Sequence, residues 1–182
     1  MLTRDHWIAA GFDALDSDGY SGISAEQLAR RLNVTRGSFH HHFRGRQDFV
    51  RALLAQWELD YTDRMLAYAA QGCSLEDVLA RYFVISAEKR PGREIAIRAW
   101  ARRDPLVAEY QNRVDSTRLS FAISVCRSRI EASVDADLIG RLAHVCLIGG
   151  QQSGDRNQIA VFAHLVREAL TLLRNTSSPN RT

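Results

Sequence analysis

The sequence predicts an all-α protein: an N-terminal three-helix head carrying a helix-turn-helix, joined by a long helix to an all-helical body. Three observations predict it. Apolar residues recur three and four positions apart through nearly every stretch, the spacing that gathers side chains on one face of an α-helix. Helix-starting residues (Ser24, Thr35, Ser74 and the Asp104-Pro105 pair) precede these stretches, and breaks at Gly19, Asn33, Gly45, Gln71-Gly72 and Pro91-Gly92 separate them. A content of 46% hydrophobic and 25% charged residues over 182 positions is ordinary for a globular chain, and allows a small domain attached to a larger one. The expected division is a head over 1–47, a body over 48–175 and a polar tail over 176–182.

Taken in order, Trp7, Ile8, Ala10, Gly11, Ala14 and Leu15 mark a first helix, closed by Gly19. Its acids, Asp5, Asp13, Asp16 and Asp18, are expected on a solvated face. Ser24 with Gln27 three residues later forms a capping-box pattern, so a short helix should run from about residue 25 to 32, with Leu28, Ala29 and Leu32 inward. Asn33 tolerates the left-handed backbone that a sharp exit requires, which makes Asn33-Val34 the turn. Thr35 can cap the next helix. Phe39 and Phe43, four apart, share its buried face, and Arg36, Ser38, His40 and His41 fall on the other.

Charge concentrates on the same stretch. Between Arg30 and Arg51 six arginines stand against one acid, a net of +5, whereas the first 29 residues hold one arginine against five acids, a net of −4. A short exposed helix with polar residues at its N-terminal end and local positive charge is the arrangement that enters the major groove of DNA. Arg36 suits a bidentate contact with guanine, and Ser38 a base or backbone contact. Ser24, Thr35, His40, His41, His42 and Arg46 suit phosphates, and Gly37 permits close approach.

Gly19-Tyr20, Ser24, Leu28-Ala29, Val34-Thr35, Gly37, His42-Phe43 and Arg46 together resemble the N-terminal DNA-binding domain of the tetracycline-repressor (TetR) family of bacterial regulators. The resemblance covers roughly the first quarter of the chain. His40 stands where the family usually has tyrosine, Asn33 where it often has glycine, and Arg46 where it usually has lysine. The resemblance implies a homodimeric regulator, most simply a repressor, bound to an inverted-repeat operator in double-stranded DNA and released by a small-molecule effector.

Beyond Gly45, the series Phe49, Leu53, Trp57, Tyr61, Met65 and Tyr68 predicts one helix to about residue 70, roughly 37 Å long at about 1.5 Å per residue. A helix from Ser74 stops at Arg90-Pro91-Gly92, and a short one ends at Asp104-Pro105. From there a long helix runs to about residue 133, with Arg113, Arg118, Arg127 and Arg129 expected on a solvated face. Two further helices, about 136–152 and 155–174, carry wide apolar faces. Leu142, Val145, Cys146, Gly149, Ile159, Phe162, Val166 and Leu170 are the expected dimer interface. The expected effector pocket draws on Tyr61, Met65, Trp100, Arg103, Tyr110 and Phe121, with an apolar or aromatic ligand preferred.

Catalytic chemistry finds no motif: there is no phosphate-binding glycine loop, His-Glu-x-x-His or Gly-x-Ser-x-Gly, so neither an enzyme nor a cofactor is expected. His40, His41 and His42 point about 100° apart on a helix and cannot converge on one metal ion. Cys73, Cys126 and Cys146 are odd in number and widely spaced, which fits free thiols. No signal-peptide pattern or membrane-length apolar run occurs, so a cytoplasmic protein is expected. The alternative is a small all-helical ligand carrier or enzyme whose basic head docks a partner.

Overall fold

The computed structural model describes residues 2–130 and 135–152, with 164, 168 and 171 beyond them. Nine α-helices are described: α1 (Arg4–Asp18), α2 (Ala25–Arg31), α3 (Arg36–His40), α4 (Arg46–Glu58), α5 (Arg64–Ala69), α6 (Leu75–Ala87), α7 (Pro91–Ala101), α8 (Pro105–Arg129) and α9 (Ala136–Gln152). A 3₁₀ turn, Gly19–Gly22, follows α1, and no strand occurs among the described residues. The chain forms two compact units, residues 1–60 with 90–113, and 61–89 with 114–182. The predicted helix at 155–174, with Ile159, Phe162, Val166 and Leu170, lies outside the described residues.

In the first unit, α1 ends where the sequence predicts, with Gly19 at φ 67° and its N–H donating to the Leu15 carbonyl. Trp7, Ala14 and Leu15 of α1 pack with Phe49, Leu53 and Trp57 of α4 and with Ile97 and Trp100 of α7 in the buried core. Gly11 sits against α4 with no room for a side chain. A Cβ there would lie 2.7 Å from Cζ of Phe49. Inside this core the Trp57 indole N–H donates to buried Glu94 at 3.1 Å.

The acids of α1 do not all face solvent. Asp16 accepts from Arg93 at 2.7 and 3.2 Å and from Arg90 at 2.9 Å, and its side chain is only 15% exposed. Asp18 pairs with Arg31, whose guanidinium holds the carboxyl below its usual range. These acids anchor α1 to α7 and α2, a role that the helical pattern of α1 alone cannot disclose.

The predicted long helix after Gly45 is interrupted. Leu59–Asp63 forms a π-turn between α4 and α5, with one extra residue per turn. In the second unit, buried Arg118 of α8 donates from Nη2 to the Tyr61 carbonyl at 2.7 Å and from Nε to the Thr62 hydroxyl at 3.2 Å. Arg118 is therefore a structural side chain rather than part of a solvated face. The other three arginines predicted to share that face are engaged too. Arg113 grips Glu58 through two bonds of 2.6 Å, Arg127 grips Asp137 likewise, and Arg129 donates to the Gly72 carbonyl at 2.7 Å.

The rest of the second unit buries Met65 and Ala69 of α5, Val78 and Tyr82 of α6, Val125 and Cys126 of α8, and Ile139 and Ala143 of α9. Gly140 lets α9 cross α8 closely, since a Cβ there would sit 2.7 Å from Cα of Ile123. No helix among the described residues is long and apolar enough to cross a membrane.

Candidate nucleic-acid interface

The helix-turn-helix is built from three local devices. Ser24 caps α2, its hydroxyl accepting from the Gln27 N–H at 3.2 Å. Asn33 adopts φ 54°, the left-handed conformation, and the chain doubles back so that the Val34 N–H donates to Ala29 O at 3.0 Å. Thr35 then stands at the N-cap of α3 in extended conformation, and its side chain makes no capping bond. Its exposed hydroxyl therefore remains available to a ligand.

Below α3 lies an aromatic floor. Phe39 and Phe43 are both 1% exposed, with ring centroids 5.2 Å apart. Phe39 meets Trp7 edge-on at 5.3 Å, and Phe43 meets Phe49 edge-on at 5.0 Å. The Phe43 N–H donates to Phe39 O at 3.0 Å, which continues the turn past the end of α3 and keeps both rings on one side. Aromatic contacts of this kind add about 0.5–1.5 kcal/mol each beyond area burial. They fix a short helix that could not hold itself in water.

The opposite face is open. Thr35, Arg36, Gly37, His40, His41 and Arg46 are exposed, while Ser24, Ser38 and His42 are half-buried. A Cβ on Gly37 would meet only the Thr35 hydroxyl oxygen, at 3.7 Å, so internal packing does not require glycine there.

The six arginines of the basic stretch divide into two groups. Arg30 pairs with Glu26 at 2.8 Å, Arg31 pairs with Asp18, and Arg46 reaches Asp104 at 3.5 Å with its guanidinium 5.6 Å from the Trp100 ring centroid. Arg36 and Arg51 have no side-chain partner among the described residues, and the Arg44 guanidinium makes no hydrogen bond or ion pair there, its charge acting on the Asp48 carboxyl from further off. Arg4, whose part the sequence did not disclose, donates to His42 O at 3.0 Å, lies over the Phe43 ring at 4.4 Å and pairs with Asp48 at 3.5 Å. The Asp48 carboxyl also accepts from the Arg44 N–H, and this bond, with the Arg4 charge, holds its pKa below the usual value. Arg4 thereby staples the start of α1 to the turn after α3.

The six residues proposed for an effector fall in both units. In the first unit Trp100 is buried and stacked on Tyr20, Arg103 lies over the Tyr20 ring, and Tyr110 lies beneath Arg113. In the second unit Phe121 lines an apolar cavity with Leu66, Val78, Tyr82, Val125 and Leu147, and buried Tyr61 and Met65 lie outside its lining. Leu142 and Cys146 of α9 are half-buried, Gly149 is exposed and Val145 is 63% exposed.

A three-helix head that presents an open polar face on its short third helix, α3, defines a helix-turn-helix protein. Residues 8–53 match the model of the bacterial regulatory proteins, tetR family. It is 33% identical over 89 residues to the transcriptional regulator AcuR of Cereibacter sphaeroides, covering 48% of this chain and 40% of that one. It is 30% identical over 82 residues to the transcriptional repressor NemR of Escherichia coli, covering 44% and 41%. The chain thus spans about two fifths of the length of these relatives. The fold is similar over nearly the whole chain to a transcriptional regulator from Rhodococcus sp. Rha1, with TM-score 0.76, 17% identity, and 96% and 97% of the two chains covered.

Proposed function

We propose that the protein is a homodimeric, ligand-responsive repressor that reads an inverted-repeat operator through α3 and is released by a small molecule. The observation that carries the reading is the open face of α3: unpartnered Arg36, exposed Thr35 and Gly37 and the histidines, held on a rigid aromatic floor. Arg36 reads guanine, Ser38 a base or backbone group, and Ser24, Thr35, His40, His41, His42 and Arg46 bind phosphates. An imidazole N–H on His40 donates the bond that a tyrosine hydroxyl would.

Dimerisation through α9 is supported by the exposure of Leu138 (50%) and Val145 (63%), apolar side chains that a second copy would cover. The cavity beside Phe121, apolar with Tyr82 at its wall, suits an aromatic or otherwise apolar effector. Such a protein works in the cytoplasm, where its operator is.

Footprinting of the DNA upstream of its own gene tests this reading. The expected result is one protected inverted repeat whose half-sites lie about a helical turn, or a small multiple, apart. Uniform protection without a repeat would refute it. An effector that lowers operator affinity must itself bind more weakly, by the same factor, when operator is present.

A further inference from the structure

The feature that the proposed function leaves unabsorbed is the pairing of Arg46 with Asp104. Arg46 is the first residue of α4, immediately after the helix-turn-helix, and Asp104 is the N-cap of α8, 58 residues away in the same unit. The two oxygens of Asp104 have different duties. Oδ1 accepts from the Leu106 N–H at 3.1 Å and so caps α8, while Oδ2 faces Nη1 of Arg46. Asp104 cannot follow Arg46 without releasing that cap.

The pair is also loose. Its single contact of 3.5 Å contrasts with the two 2.6 Å bonds that Arg113 makes to Glu58 in the same unit. The Arg46 side chain is 50% exposed, and the Trp100 face beneath it offers a weak second hold at 5.6 Å. A charge held by one long contact on a half-exposed side chain is readily surrendered to a stronger anion.

We propose that Asp104 is an internal competitor for a DNA phosphate: it holds Arg46 in the free protein and loses it to the backbone when DNA binds. The inference rests on the reading of Arg46 as a phosphate contact. Arginine fits this exchange because its planar fork matches a phosphate as well as a carboxylate. The device sets a threshold on DNA binding, and it links the α4 end of the reading head to the start of α8.

The test is a double-mutant cycle on the full chain, with a labelled mixed-sequence duplex of about 30 base pairs at ~50 and ~200 mM salt, so that no operator need be known. Asp104→Asn keeps the α8 cap, and Asp104→Ser is a second capping variant should the first melt early. The inference predicts that either variant binds DNA about two- to fivefold more tightly. Arg46→Ala should bind more weakly, and Asp104→Asn added to it should change nothing. Equal tightening in the Arg46→Ala background would mean a general charge effect and would overturn the proposal. So would unchanged or weakened binding by Asp104→Asn while Arg46→Ala still loses affinity. If Arg46→Ala binds as the parent does, the phosphate reading itself fails, and the competition with it.

Discussion

The arginines of α8 and three of those around α3 look alike in the sequence, both sets being interspersed among apolar residues, yet only the first set is held at close range by protein oxygens. Arg113, Arg118, Arg127 and Arg129 each donate to a protein oxygen within 2.7 Å, two of them to both oxygens of a carboxylate. Arg36, Arg44 and Arg51 meet no such oxygen among the described residues. Charge density therefore does not distinguish a binding surface from a structural brace. The distinction lies in whether the protein supplies the counter-charge itself, and where it does not, an external anion can.

Four substitutions would sharpen or break this contrast. The largest effect is expected for Arg118→Ala, which removes the buried guanidinium that donates to the Tyr61 carbonyl and the Thr62 hydroxyl and should lower unfolding stability by about 2–4 kcal/mol in denaturant melts. A loss below half a kcal/mol would show that the brace is idle. Arg36→Ala should be the reverse case. Its stability should stay within about 0.5 kcal/mol of the parent, while DNA affinity falls by about 1–3 kcal/mol with relaxed preference at one base pair. An equal loss on every sequence would reassign Arg36 to the backbone.

Arg44→Ala should weaken all sequences alike and reduce the salt slope of binding by about one, read from titrations at several salt concentrations. The smallest effect concerns acid. The Asp48 carboxyl is held below its ordinary pKa of 3.8 in the folded state, because it accepts from the Arg44 N–H and faces Arg4. A folded pKa below the unfolded one contributes stability above pH 3.8 and loses it as pH falls through the folded value. Asp48→Asn should therefore be slightly less stable at neutral pH and should show a shallower loss between pH 5 and pH 3 in thermal melts. Identical acid profiles would remove Asp48 from the staple.

Local devices were the legible part of this molecule. The Ser24 cap, the left-handed Asn33, the Gly19 stop and the inward Phe39 and Phe43 each depend on neighbours within four residues, and all appear in the structure. Asp104 was legible as the cap of α8 for the same reason, whereas the partner of its second oxygen was not. Pairs such as Asp16–Arg93, 77 residues apart, arise from how helices cross, and no periodicity announces them. The π-turn at Leu59–Asp63 leaves no mark in the sequence pattern because an inserted residue keeps near-helical spacing intact on either side. The site follows the same division. Which residues face outward was readable from helix geometry, and which of the outward arginines are unpartnered was not.

From this contrast it follows as a proposal that the unpartnered face of α3 reads DNA sequence. It is tested most directly by anisotropy of the purified protein on a labelled duplex from upstream of its own gene, against a scrambled duplex, at ~50 and ~200 mM salt. The expected result is tight binding to the first duplex only, still selective at the higher salt. Equal weak binding to both, vanishing with salt, would contradict it and leave the α3 face as a basic patch without a code.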